Sequence, residues 1–149
     1  MVFSAGNVLT ASGLNDATLS GISTYTPTVA NGGTATFTTR TGWYYKIGSS
    51  HIVFMCAYVT VNASGSGATD VTITAPSNID RTTRQVMDVD FSDGTNYREG
   101  NAVSLITGSG AVIDKLRITN ATAVGSAFLS GSGLNAGSVL TVQGWYREA

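Results

Sequence analysis

A continuous, largely apolar run at residues 51–61 is the feature that most restricts what this chain can fold into. In an extended strand, successive side chains point to opposite faces. One face of this run would carry Val53, Met55, Ala57, Val59 and Val61, and the other would carry Ile52, Phe54, Cys56 and Tyr58. A solvated antiparallel sheet is apolar on one face only, so both faces of this strand require a cover.

One face of the run can pack against an opposing sheet of the same domain. The sequence offers no long helix to cover the second face. We therefore expect a second copy of the chain there, with Ile52, Phe54 and Tyr58 at the interface between copies. The alternative is that the N-terminal segment or a long loop covers this face.

From Tyr25 onward, turns rich in glycine, serine and proline separate short segments that alternate in polarity. In the segment Arg84–Phe91, one face would carry Val86, Asp88 and Asp90, and the other would carry Met87, Val89 and Phe91. About eight to ten short strands at this spacing predict an all-β fold, an antiparallel sandwich or jelly-roll-like domain over residues 24–149. The glycine-rich loop at 108–110 is predicted to connect a hairpin.

The first 23 residues do not continue this pattern. Their main aliphatic residues are Val8, Leu9, Leu14 and Leu19, which are too few to build a core and too apolar for a solvated tail. We therefore predict that residues 1–23 form a short N-terminal arm that packs on another protein.

Charged residues make up only 11% of the chain, against roughly 25% in an average soluble domain. A surface with few charges is typical of proteins that neighbours cover, and a simple Thr- and Ser-rich β-surface explains it equally well. The net charge is -1, and the eight basic residues never form a run of three. Because nucleic-acid binding needs clustered Lys and Arg, we expect no nucleic-acid partner.

The N-terminus lacks the basic start and apolar segment of a signal peptide. No stretch reaches the roughly 20 apolar residues of a membrane helix. We therefore expect no membrane partner and a protein that is made and folded in a cytoplasm.

No residue pattern predicts a catalytic site, a cofactor or a metal. Cys56 is interpreted as a small buried side chain, because His51 would point to the other face of the same strand. The segment Asp88–Glu99 places oxygen-bearing residues as a calcium loop does, but its glycine comes one position late, at Gly94. The alternation there predicts a strand and a hairpin turn, without bound metal.

Five aromatic residues are candidates either for the core and interfaces or for a sugar-binding surface: Trp43, Tyr44, Tyr45, Trp145 and Tyr146. Aromatic side chains fill cores and interfaces, and this is the favoured interpretation. Stacking on sugar rings is the alternative.

The opening segment, Phe3-Ser-Ala-Gly-Asn-Val-Leu-Thr-Ala-Ser-Gly-Leu-Asn15, resembles a motif of appendage and minor structural proteins of tailed bacteriophages. Phe3 stands where tryptophan is frequent in that family, and Gly13 stands where an acidic residue is frequent. The likeness continues through residues 25–28, 43–48, 75–76 and 142–146. No residue of the likeness is catalytic.

This resemblance implies that the opening segment attaches to the particle, through Phe3, Val8, Leu9 and Leu14, and that the β-domain projects, commonly as a trimer. The short chain favours a capsid decoration protein or a short head fibre on the virion surface, assembled in the host cytoplasm. Its expected partners are itself, as a homotrimer, and phage capsid or tail proteins. The alternative is a tail-tip or tail-fibre knob that recognises a host surface glycan, and a carbohydrate-active virion enzyme is a third hypothesis.

Overall fold

The computed structural model describes residues 21–48, 50–119 and 126–149. The strands are β1 (Ser23–Tyr25), β2 (Val29–Ala30), β3 (Thr36–Lys46), β4 (Ile52–Ala63), β5 (Thr72–Thr74), β6 (Gln85–Ser92), β7 (Tyr97–Ser104), β8 (Val112–Ile113), β9 (Lys115–Thr119), β10 (Ser126–Phe128) and β11 (Val139–Arg147). The described ranges contain no α-helix, only a 3-10 turn at Gly131–Gly133. None of their helical segments is long and apolar enough to cross a membrane.

In the described ranges all strand pairs are antiparallel and form two sheets. The large sheet has eight strands in the order β1-β3-β4-β11-β6-β7-β9-β10, and the small sheet has the order β2-β5-β8. The predicted all-β, antiparallel sandwich is confirmed. The jelly-roll alternative is not, because eight of the eleven strands belong to one sheet.

The core lies between the two sheets, and β4 crosses its centre. On its inner face Val53, Met55, Ala57, Val59 and Val61 are each at most 1% exposed. Ile73 of β5 and Ile113 of β8 belong to the same buried cluster from the small sheet. β6 follows the predicted alternation, with Met87, Val89 and Phe91 buried.

The aromatic residues divide between the two faces of the large sheet. Tyr146 is 2% exposed, shares a 2.6 Å hydrogen bond with Ser77, and has its pKa raised by burial to about 12. Tyr44 packs against the core and meets Tyr25 edge-on, with the ring centroids 6.0 Å apart. Tyr25 also lies over Gly42, where an added Cβ would be 2.3 Å from the Tyr25 ring. Tyr44 and Tyr146 therefore help to form the core and cannot belong to a solvent-facing aromatic site.

The loop at 108–110 lies in the connection between β7 and β9, which pair antiparallel, but this connection is longer than the expected hairpin loop because it includes β8. β7 pairs with β9, while β8 joins the small sheet. Arg81 holds this crossover in place: its guanidinium donates to the carbonyl oxygen of Leu105 at 2.8 Å and to Asp114 at 2.5 Å, and also to the Val112 carbonyl. The Asp114 carboxylate in turn accepts the Leu105 N–H at 2.8 Å. β8 has only two residues and therefore shows no side-chain periodicity. Its pairing with the small sheet could not be predicted from the sequence for this reason.

The arm predicted at residues 1–23 falls almost wholly outside the described residues. Residues 21–23 are the exception, and Ser23 among them begins β1 and pairs with Tyr44 of β3. The large sheet therefore starts one residue before the predicted domain boundary. The proposed attachment residues Phe3, Val8, Leu9 and Leu14 lie outside the described part of the chain.

Candidate assembly surface on the large sheet

The large sheet has one face on the core and one face that no described element covers, which we call the outer face. One row of register partners crosses all eight strands on this face: Thr24, Trp43, Cys56, Gln143, Asp88, Asn101, Arg117 and Phe128. Eight large hydrophobic side chains are exposed in the described ranges. Six of them project from the outer face: Trp43, Tyr58, Val86, Tyr97, Phe128 and Trp145.

Four aromatic side chains on β3, β4 and β11 form one contiguous group, which we call the aromatic cluster: Trp43, Tyr45, Phe54 and Trp145. The rings of Tyr45 and Phe54 stack at 5.3 Å between centroids, and those of Trp43 and Phe54 stack at 5.4 Å. Trp145 meets Phe54 edge-on at 5.1 Å. These rings cover much of Phe54, while Trp43 and Trp145 remain 38% and 45% exposed.

The three residues predicted for the oligomer interface all lie on the outer face. Phe54 and Ile52 are half-buried among their neighbours in the sheet, and Tyr58 is 40% exposed. The structure therefore brings together the side chains that the sequence assigned to one surface. Their contact with a second copy stays a prediction.

Cys56 lies in the middle of the outer face, between Trp43 and Gln143. It is half-buried rather than buried, and this corrects the interpretation of Cys56 as an interior residue. The physical reason is that the sheet neighbours shield the thiol only from the sides. Burial still raises the pKa of the Cys56 thiol, which makes the reactive thiolate form scarcer. His51 is exposed and precedes β4, in a shallow depression that Asp80, Arg147 and Glu148 also line.

Three carboxylates lie together on β6 and β7, and we call them the acidic zone: Asp88, Asp90 and Glu99. Asp90 and Glu99 are direct cross-strand partners, and Asp88 is two residues from Asp90 on the same face. All other acidic side chains in the described ranges form ion pairs, namely Asp70, Asp80, Asp93, Asp114 and Glu148. Since like charges directly opposite each other destabilise a sheet, the acidic zone opposes the folding of the isolated chain.

The acidic zone also affects a neighbouring phenol. Desolvation of its hydroxyl raises the pKa of Tyr97, and the carboxylates of Asp90 and Glu99 raise it further. A phenol held in its neutral form remains a hydrogen-bond donor at the edge of the zone.

A basic groove of about 110 Å³ follows on β7, β9 and β10 of the same face. Its cationic residues are Arg84, Lys115 and Arg117, and its apolar residues are Val103, Leu105 and Phe128. The Lys115 ammonium lies 5.1 Å from the centroid of the Phe128 ring and pairs with Asp70. The outer face thus presents an aromatic, an acidic and a basic region in succession across the sheet.

The hairpin predicted at residues 92–96 connects β6 and β7 as expected. Asp93 accepts the backbone N–H of Asn96 at 2.7 Å and of Thr95 at 3.0 Å, and it pairs with Arg98 at 2.8 Å. The backbone hydrogen bond from Asn96, followed by that from Thr95, holds the pKa of Asp93 below its usual value. Asp93 therefore acts as a turn-forming residue. In the part of the chain that is described, no three His, Cys, Asp or Glu side chains are grouped to hold a metal ion.

The sequence analysis missed two parts of this surface. It placed Asp88 and Asp90 on one face but did not bring Glu99 beside them, although a four-residue turn at 93–96 fixes that register. It also did not bring Arg84 and Arg117 to the same face, because their proximity depends on the pairing of β7 with β9. Comparison of the chain with protein-family models, curated proteins and solved structures finds no match.

Proposed function

We propose that this chain is a non-enzymatic structural protein of a bacteriophage particle, displayed on the virion surface as a homotrimer. A capsid decoration protein or a short head fibre is the form that fits best. The observation that carries the proposal is the outer face of the large sheet. Its uncovered apolar side chains require a partner, and the chain itself is the partner that is always present.

The physical basis is the free energy of burying apolar surface, at about 25 cal/mol per Å². Contiguous apolar patches on monomeric proteins are small, and larger ones mark interaction sites. Trp43 and Trp145 are the most exposed members of the aromatic cluster, and tryptophan is among the residue types enriched at the hot spots of interfaces. The half-buried residues Ile52, Phe54 and Cys56 extend this patch along β4.

The assignment to a phage particle is supported by the sequence of residues 3–15 and by the aromatic segment at 43–48, which resemble phage appendage proteins. In this proposal Phe3, Val8, Leu9 and Leu14 attach the trimer to capsid or tail proteins. The β-domain then projects from the particle. No cofactor takes part in this role.

A receptor-binding knob for a host glycan is the second candidate, favoured by the exposed indoles of Trp43 and Trp145. The four rings of the aromatic cluster pack on one another, with Trp43 and Tyr45 stacked on Phe54 and Trp145 edge-on to it. That arrangement favours packing against protein. A glycan array separates the two roles, since a knob binds defined glycans and an assembly protein binds none.

The direct test is a density map of the intact virion whose genome encodes this chain. The proposal predicts three copies of the β-domain at each occupied site on the capsid surface, with their outer faces in contact. A map with the chain only at the tail tip supports the knob. Absence of the chain from purified particles, measured by mass spectrometry, contradicts both roles.

A further inference from the structure

We infer that copies of this chain join through charge, with the acidic zone of one copy against the basic groove of another. The inference rests on the proposed self-assembly and names the two surfaces that meet. The occupant of each surface is a second copy of this chain.

The acidic zone presents three carboxylates without an ion-pair partner in the described ranges. Asp88 and Glu99 are exposed, and Asp90 is half-buried directly opposite Glu99. Their mutual repulsion falls when cationic side chains approach from outside the sheet. A partner with guanidinium groups therefore gains more here than at an ordinary polar surface, because guanidinium binds carboxylate in a planar, bidentate geometry.

The basic groove supplies the complementary chemistry. Arg84 and Arg117 are exposed beside it, and the ring of Phe128 and the side chain of Val103 line its apolar part. Carboxylates that enter this groove reach cations in a partly desolvated setting, where charge pairs are stronger than in open water. The two zones thus match in charge.

The positions of the two zones restrict how two copies can meet. Both lie on the outer face, side by side across β6, β7, β9 and β10. A contact that places equal zones on each other opposes like charges. A contact that joins the acidic zone of one copy to the basic groove of another pairs opposite charges, either in a two-fold pair that joins both zones at once or in a ring in which each zone meets a different neighbour.

The available area is sufficient for a specific interface. The strands of the large sheet contain three to twelve residues each. With up to eight residues used per strand, about 4.8 Å between strands and about 3.3 Å per residue give a surface of roughly 800 Å². A standard interface buries about 800 Å² on each partner. The aromatic cluster lies on the same face and is then part of the contact.

Charge reversal tests the inference. The acid-reversed variant carries Asp88→Lys and Asp90→Lys, the base-reversed variant carries Arg84→Glu and Arg117→Glu, and the swapped variant carries all four changes. Sedimentation equilibrium should show self-association at least tenfold weaker in each reversed variant. In the swapped variant it should return to within about threefold of the wild type, because every contact again joins opposite charges.

Arg40→Glu is the control, because it reverses one charge outside both zones. Arg40 is exposed, and its register partner Val59 belongs to the core-facing side of the sheet. This reversal should leave self-association unchanged. An equal loss in Arg40→Glu would assign the effect to net charge and overturn the inference.

The outcomes separate this inference from the proposed function. If the wild type assembles while the reversed variants assemble equally well, or the swapped variant fails to recover, charge pairing between the two zones is wrong and self-assembly stands. If the wild type is a monomer, both are wrong.

A measurement on the wild type covers the case in which a variant does not fold. Carbodiimide labelling of carboxylates, read by mass spectrometry, should show Asp88 and Glu99 less reactive at concentrations where the chain assembles than after dilution. Equal reactivity at both concentrations would overturn the inference.

Discussion

The carboxylates of Asp90 and Glu99 stand directly opposite each other on β6 and β7, on the face of the large sheet that the core leaves uncovered. The other described carboxylates outside the acidic zone are all ion-paired. These mutually repelling carboxylates thus lie on the same face of the sheet as six of the eight large hydrophobic side chains exposed in the described ranges. Carboxylate repulsion and exposed apolar surface both raise the free energy of an isolated monomer. A partner that brings cationic and apolar side chains to this face relieves both.

Trp145→Ala should weaken self-association with little effect on folding. Trp145 is 45% exposed and meets the rings of Phe54 and Tyr45 edge-on, so its loss opens the centre of the aromatic cluster. Interface tryptophans commonly contribute at least about 2 kcal/mol to binding, which corresponds to roughly a 30-fold weaker association. Analytical ultracentrifugation measures the association, and thermal unfolding checks the fold.

Ile106→Ala is the control for that experiment, since Ile106 is 62% exposed in the loop after β7. It should leave both association and stability unchanged. If Trp145→Ala assembles as well as the wild type, the aromatic cluster does not belong to the contact.

Arg81→Ala should destabilise the fold by about 2–4 kcal/mol, because it leaves Asp114 without its partner in a partly buried site. The guanidinium joins Asp114 to the carbonyl groups of Leu105 and Val112, and its side chain is 15% exposed. Arg81→Lys should lose less, since a lysine keeps the charge but not the planar fork. Urea unfolding followed by tryptophan fluorescence gives both values, and equal stability of Arg81→Ala and the wild type would show that the crossover does not need this clamp.

Asp93→Asn should lower stability at neutral pH and remove part of the acid sensitivity of the fold. The pKa of Asp93 is lower in the folded chain than in the unfolded chain, where it is about 3.9. Its contribution is therefore fully present above about pH 4 and is lost as the pH falls through the lower, folded pKa. Urea midpoints measured from pH 7 down to pH 2 should show a steeper acid decline for the wild type than for Asp93→Asn.

Arg98→Gln separates the causes of this effect. The backbone hydrogen bonds from Asn96 and Thr95 contribute more to the lowered pKa of Asp93 than the charge of Arg98 does. Most of the acid dependence should therefore survive in Arg98→Gln. Its complete loss there would assign the effect to the ion pair instead.

The sequence was sufficient to predict the parts of the fold that rest on alternation. Residues 51–61 predicted the two-sided strand β4, and residues 84–91 predicted the inner and outer faces of β6. The same alternation separates Tyr44 from Trp43 and Tyr45, a signal that was present but not used. The small sheet could not be predicted, because two- and three-residue strands such as Val112–Ile113 have no period to detect. The basic groove could not be predicted either, since it depends on which strands are neighbours.

Deletion of residues 1–20 should leave a folded β-domain that no longer binds phage particles stripped of this protein. The shortened chain begins at Gly21 because β1 starts at Ser23 and pairs with β3. Each fully buried aliphatic side chain contributes roughly 1.5–3 kcal/mol, so Val8, Leu9 and Leu14 together can hold the trimer on its partner. Circular dichroism tests the fold, and co-sedimentation with stripped particles tests attachment.

Two results would contradict the proposed role of the arm. Unfolding of the shortened chain would show that residues 1–20 belong to the core of the domain. Undiminished co-sedimentation would show that the β-domain carries the attachment surface itself.

The mass of the purified full-length chain in solution, measured by light scattering at micromolar concentration, tests the central claim most directly. Assembly through the outer face predicts a single species of three times the chain mass of 15.4 kDa. A stable species of 15.4 kDa at that concentration would contradict the claim, because the outer face would then be exposed to water in the native protein.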